Sequence, residues 1–228
     1  MIDQDLSRYK SFVQENYPNT GAVGNIVFDK IYIEVKKNMT FIKLIKKIDN
    51  QSDNTRTQLY QDFQLFNLRI LYHLPSNDEF VNNIIVRVVS ENILRLCLSL
   101  INKECADIHV MSYNNLISNL EERAFSRRYP TLYDHLTRLF GNYSQDVHGE
   151  NIGRLSEKEY LTSIRNIQSI NELQKILKVY ENISKEIVPF FLKEIKTKRE
   201  DLNVGVLSEI ERVVGQEAYE KNFCRKEI

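Results

Sequence analysis

A chain of 228 residues that holds only 7 glycines and 4 prolines has few places to turn. Its elements must therefore be long, and long elements without glycine or proline favour helices over short strands. Apolar residues at 42% and charged residues at 27% are enough to bury a core at this length without disulfides or metals. An all-α helical bundle is the expectation.

Hydrophobic periodicity places the helices. Segments 25–47 and 54–73 read as amphipathic, and Leu59, Phe63, Phe66 and Ile70 recur at three- and four-residue steps in the second. A short helix near 4–16 precedes them, across the turn-rich Tyr17-Pro18-Asn19-Thr20-Gly21. Ser76 with Glu79 and Ser156 with Glu159 have capping-box spacing, and Asn171 with Gln174 is a weaker version. These pairs predict helices over 77–102, 157–167 and 172–199. Between them lie 113–125 and 131–148, the latter holding Leu132, Leu136, Leu139, Phe140, Tyr143 and Val147 on one face. Pro189 should kink or divide the late helix, and one or two short helices end the chain near 203–222. Val23 to Val35 is β-branched enough for a strand but has no strand partner nearby. The organisation expected is N-terminal helices over 1–76, a helical core over 77–200 and C-terminal helices over 201–228.

Lysine plus arginine number 31 and so do aspartate plus glutamate, so no global field draws the chain to nucleic acid or to an anionic membrane. Any phosphate site must be a local patch. The cysteines Cys97, Cys105 and Cys224 lack metal-ligand spacing, so no metal is expected. No glycine-rich phosphate loop and no His-Glu-x-x-His run is present, and no cofactor is expected. The acidic start, Met1-Ile2-Asp3-Gln4-Asp5, is unlike a signal peptide, and no apolar run is long enough for a membrane span. A cytoplasmic protein is the expectation.

Two segments carry polar residues where a core would not place them. Arg87, Glu91 and Arg95 follow one another at four-residue spacing on the apolar helix 77–102, drifting about 40° per step. They form one ionic stripe, either a solvated face or a polar seam turned to a pocket or interface. In the second segment, Leu139 to Gly149, Ser144 and His148 stand one turn apart, with Asp146 between them. Gly149 fits a C-cap, which puts His148 in the last helical turn. His148 is then either a terminal residue bonding the last carbonyls or a proton-transfer group.

Arg87-Val88-Val89-Ser90-Glu91-Asn92-Ile93-Leu94-Arg95, taken with Leu139-Phe140, Tyr143-Ser144 and Val147-His148-Gly149, resembles the HEPN superfamily over roughly 77 to 200. That name stands for higher eukaryotes and prokaryotes nucleotide-binding domain. The resemblance implies a HEPN-like helical bundle and an effector of phage defence or of a toxin–antitoxin pair, acting as a metal-independent endoribonuclease. It further implies a homodimer with a composite site, an RNA substrate, and a partner protein from the same defence system. His148 would move the proton of a ribose hydroxyl, with Ser144 and Asp146 positioning it. Family members carry an Arg a few residues ahead of that His, where this chain has Gly141, Asn142 and Tyr143. Arg138, about 15 Å before His148 along a continuous helix, is off its face. The charge on the phosphorane would then fall to Arg87 or Arg95, with Glu91 beside them. Arg123, Arg127, Arg128 and Arg138 form the local patch for RNA phosphates. The alternative reading is a non-catalytic HEPN-like module that binds a protein or a nucleotide, its arginines paired with Glu121, Glu122 and Asp134. An unrelated helical scaffold with an incidental His148 is the third.

Overall fold

The computed structural model describes residues 2–18, 20–49, 53–102, 107–147, 156, 158, 170–195 and 199–223. Ten helices appear among them: α1 Ile2–Asn16, α2 Ile26–Ile48, α3 Asn54–His73, α4 Glu79–Ile101, α5 Tyr113–Glu122, α6 Phe125–Arg128, α7 Pro130–Val147, α8 Ile170–Ile195, α9 Val204–Val214 and α10 Gln216–Phe223. No strand occurs among the described residues, so the all-α bundle stands, and Val23 to Val35 mostly enters α2. The expected helix over 157–167 lies outside the described residues, as do His148, Gly149, Cys105 and Cys224.

Side-chain caps open five of these helices. Asn25, Asp53, Asp78, Ser112 and Asn203 each accept a hydrogen bond from a backbone N–H of the first turn. The cap of α4 is thus Asp78 and not Ser76. Pro75 sets a 3-10 turn over Leu74–Ser76, and Asn77 then turns left-handed at φ 60°. Those two steps carry the chain past Ser76, whose hydroxyl donates instead to the His73 carbonyl at 2.6 Å. Two other expectations shift for similar local reasons. Segment 113–125 stops at Glu122, because Ala124 at φ 54° swings buried Phe125 inward and opens α6. Asn171 stands inside α8 rather than at its cap, and that helix runs through Pro189 without dividing. Pro189 lies on the half-exposed side, one turn from exposed Lys185, while Ile187, Val188, Phe190 and Phe191 are buried and hold both halves in line.

The central helix is α4. Ile93, Leu94, Leu96, Cys97 and Leu98 are wholly buried, an all-round coverage that needs neighbours on several sides. Those neighbours are chiefly α7 and α3, while α2 packs on α3 and α8 and closes the bundle. Helices α3 and α4 run antiparallel, since Arg56 and Leu59 of α3 meet Ser99 and Asn92 of α4 in that order. Helices α2 and α8 run in the same sense, with Glu34 and Asn38 at Ser184 and Phe41 at Phe191. One continuous core runs from Val13 through Leu94 to Tyr219, so the segments 1–76, 77–200 and 201–228 share it.

At one end of α2, α3 and α4 the core contains an ion pair. Arg56 Nη1 donates to Asp49 at 3.0 and 3.3 Å, and its Nη2 donates to the Ser99 carbonyl at 2.5 Å. The Tyr60 hydroxyl donates to the same carboxylate at 2.9 Å. Burial and then the Asp49 charge push the Tyr60 phenol up, so it stays a neutral donor. Elsewhere the core is less well satisfied. The Tyr180 hydroxyl is buried with no hydrogen-bond partner among the described residues. Tyr180→Phe removes that desolvated group, and we expect a gain of about 1 kcal/mol, or about 2–4 °C in thermal midpoint. A fall in midpoint on scanning calorimetry would show that the hydroxyl is bonded in solution.

Candidate functional site: the polar seam of α4 and two surface cavities

Helical periodicity aligns Arg87, Glu91 and Arg95, and tertiary packing then separates them. Arg95 Nη2 meets Glu91 at 2.5 Å and also donates to the Met111 carbonyl at 2.7 Å. Its Nη1 donates to the Ile108 carbonyl. Arg95 therefore ties the 107–111 turn, which begins at left-handed Asp107, onto α4. Three acceptors share one half-buried guanidinium, which leaves it little freedom to follow a substrate.

Arg87 has a different fate. Its guanidinium carbon lies 4.6 Å from the centre of the Phe140 ring on α7, and Phe140 stacks on Tyr113 at 3.5 Å with the planes within 4°. This three-layer stack is a cation–π arrangement pressed between α4, α5 and α7. Arg87 Nε is buried and finds no hydrogen-bond partner among the described residues. Ser144 lies one turn beyond Phe140 on α7, and its hydroxyl donates to the Phe140 carbonyl at 2.7 Å, within its own helix. Asp146 is on the last turn of α7, and His148 is outside the described residues. The structure thus brings Glu91 and Arg95 together and sends Arg87 towards the α7 stack.

The arginines expected to hold phosphates divide as well. Arg128 pairs with Glu194 at 2.7 Å, and the Tyr129 hydroxyl donates to the same carboxylate. Arg138 pairs with Asp134 at 2.5 Å, four residues back on α7. Arg123 and Arg127 are exposed and stand in no ion pair among the described residues. Glu121 accepts from the Tyr133 hydroxyl at 2.7 Å rather than from an arginine.

Two cavities bear on function, one of them away from every residue expected at a site and the other on the α4 stripe. The larger is a groove of about 570 Å³ between α1, α2 and α3, lined by Tyr9, Phe12, Tyr32, Leu68, Leu71 and Tyr72. Arg8, Lys36, Arg69 and Asp5 stand at it too, three cations against one carboxylate. Lys36 pairs with Asp5 at 3.6 Å, whereas Arg8 and Arg69 are exposed and in no ion pair among the described residues. The aromatic wall is ordered by stacking: Tyr9 lies 4.7 Å from Tyr32 and 5.5 Å from Phe28. Tyr9 also donates its hydroxyl to the Leu71 carbonyl at 2.5 Å, which pins α1 on α3. Burial raises the phenols of Tyr9 and Tyr32, so neither cancels the cations with a phenolate near neutral pH. One sequence signal pointed here. Leu65, Leu68 and Tyr72 form a second apolar row on α3, off the Leu59–Phe63–Ile70 core face, and are 45%, 52% and 53% exposed.

The smaller cavity, about 200 Å³, lies between α3, α4 and the 107–111 turn. Leu59, Phe66 and Val88 are its apolar walls, and Asp62, Glu91, Asn92, Arg95 and His109 supply polar atoms. Its sequence signal was only half visible, since Glu91 and Arg95 were marked by spacing while Asp62 and His109 come from other segments.

No protein-family model, no curated protein and no solved structure matches this chain. Function must therefore be argued from these cavities. Among the described residues no helix is long and apolar enough to cross a membrane, and no group of three His, Cys, Asp or Glu side chains is placed to hold a metal ion.

Proposed function

We propose that this chain is a HEPN-like helical module that acts by binding rather than by cutting RNA, and that its ligand is a nucleotide held in the α1–α3 groove. The observation that carries the reading is the pairing of two exposed arginines in no ion pair among the described residues, Arg8 and Arg69, the latter over the Phe66 ring at 5.7 Å, with a wall of four aromatic rings, Tyr9, Phe12, Tyr32 and Tyr72. A planar base has a face to stack on the rings, and phosphate oxygens match the guanidinium forks. At about 570 Å³ the groove is within the range of small-ligand sites. The nuclease reading needs a free cation near His148, and both arginines of α4 have other work: Arg95 fastens a turn and Arg87 stacks on Phe140.

Calorimetric titration of the full chain with ATP and with GTP at low ionic strength tests the reading. Saturable binding is expected, weakened by added salt and at least tenfold weaker in the Arg8→Ala/Arg69→Ala double variant. Both side chains are exposed, so the variant should melt where wild type does. Undiminished binding by the variant would remove the groove from consideration. In chelator-containing buffer, wild type and His148→Ala should both leave RNA uncut; cleavage lost only in His148→Ala would restore the ribonuclease reading.

A further inference from the structure

The small cavity between α3 and α4 is chemically the opposite of the groove. Asp62 Oδ1 accepts from Gln58 at 2.8 Å, and one oxygen of Glu91 accepts from Arg95. The other carboxylate oxygen of each takes no hydrogen bond among the described residues. Asn92 adds a third acceptor. It is 4% exposed, and its Oδ1 is buried with no partner. Its Nδ2 donates to the Leu59 carbonyl at 3.4 Å, so turning the amide over would set two carbonyl oxygens against each other. The amide oxygen is thus the atom left over.

The charges do not cancel. Arg95 offsets Glu91 one for one while spending donors on the Ile108 and Met111 carbonyls. Among the described residues Asp62 is left without a cation, and His109, exposed on the turn, is in no ion pair. An orphaned buried acceptor is costly, about 1–3 kcal/mol, unless something with donors reaches it. The cavity therefore favours a cation that brings several N–H groups and an apolar stem to lie on Leu59, Phe66 and Val88. Its volume, about 200 Å³, suits one long side chain and excludes a nucleotide. A metal ion lacks a set of three ligating side chains among the described residues.

We infer that this cavity receives the side chain of an arginine from a partner protein. A planar guanidinium presents five donors in a fixed fork, enough for Asp62, Glu91 and Asn92 together, while its apolar stem lies along Leu59 and Val88. A lysine ammonium offers fewer donors. The site is separate from the α1–α3 groove and does not depend on what that groove binds.

The test is a chemical-shift titration of the full chain with N-acetyl-arginine amide, following the methyl groups of Leu59 and Val88. Saturable shifts are expected with the arginine amide and none with the neutral N-acetyl-norleucine amide. Asp62→Asn should weaken the arginine amide at least tenfold, and Val88→Met should reduce binding by filling the cavity, with both variants folded by circular dichroism. Arg8→Ala, which touches only the groove, should leave this binding unchanged. The inference is overturned if the arginine amide produces no saturable shift, or if Asp62→Asn binds it as wild type does. Tighter binding of free spermidine than of the arginine amide would also overturn it, by assigning the cavity to a polyamine.

Discussion

Asp49→Ala should lower the folding free energy by about 3–5 kcal/mol, which moves the thermal midpoint by on the order of 10 °C. The reason is positional. Arg56 is 3% exposed and cannot withdraw to water when its carboxylate is removed. Its Nη1 would lose both contacts to Asp49, and the Tyr60 hydroxyl would lose its acceptor in the same step. The bond from Nη2 to the Ser99 carbonyl does not replace the lost carboxylate charge. A buried charge left uncompensated is among the most damaging single changes available to a core. Removing both charges is milder, so the Asp49→Leu/Arg56→Met pair should recover much of the loss. Urea denaturation of the three proteins measures this directly. A loss below about 1 kcal/mol for Asp49→Ala would mean that water reaches Arg56, against the burial described.

Phe190→Ala should cost about 3–5 kcal/mol as well, through packing rather than charge. Phe190 is 2% exposed and stands edge-on to three rings: Phe125 at 5.5 Å, Tyr129 at 4.8 Å and Phe191 at 5.5 Å. It therefore locks α8 into the corner where α6 turns into α7. Truncation removes the ring from all three partners and leaves a void that rigid neighbours fill poorly. Phe190→Leu keeps most of the volume and should cost under about 1.5 kcal/mol. Chemical denaturation gives both values, and loss of near-ultraviolet dichroism would report the loosened rings. Equal costs for Ala and Leu would show that ring geometry, rather than filled volume, holds the corner.

Much of the helix pattern was readable in advance. The expected range 54–73 coincides with α3, and 131–148 begins one residue after the start of α7, its last residue lying outside the described ones. Where the boundaries moved, the cause was a local backbone event that spacing alone does not disclose. Ser76 and Glu79 have the separation of a capping box, yet Pro75 and left-handed Asn77 pass the role to Asp78. Pro189 should have interrupted α8, but the buried residues on either side of it span the defect.

The candidate sites were far less readable. Arg87, Glu91 and Arg95 share one stripe because a helix repeats its faces, and that repeat is written in the chain. Their partners are not. Phe140 lies 53 positions beyond Arg87, and Met111 lies 16 beyond Arg95, so each fate depends on which segment folds back onto α4. The groove is more remote still from local pattern, since Arg8, Lys36 and Arg69 belong to three helices and carry no common spacing.

What the sequence by itself determined is the class of structure: scarce glycine and proline, and apolar residues at helical steps. These are effects of neighbouring residues on one another, and they act before any long-range contact forms. Tertiary structure alone decided which charges became struts and which remained open to a ligand. Arg56 and Arg95 were drawn into carboxylates and carbonyls, while Arg8 and Arg69 stayed exposed and outside any ion pair among the described residues. The physical reason is that a side chain's burial and electrostatic partners are set by whatever packs against it, and that neighbour comes from elsewhere in the chain.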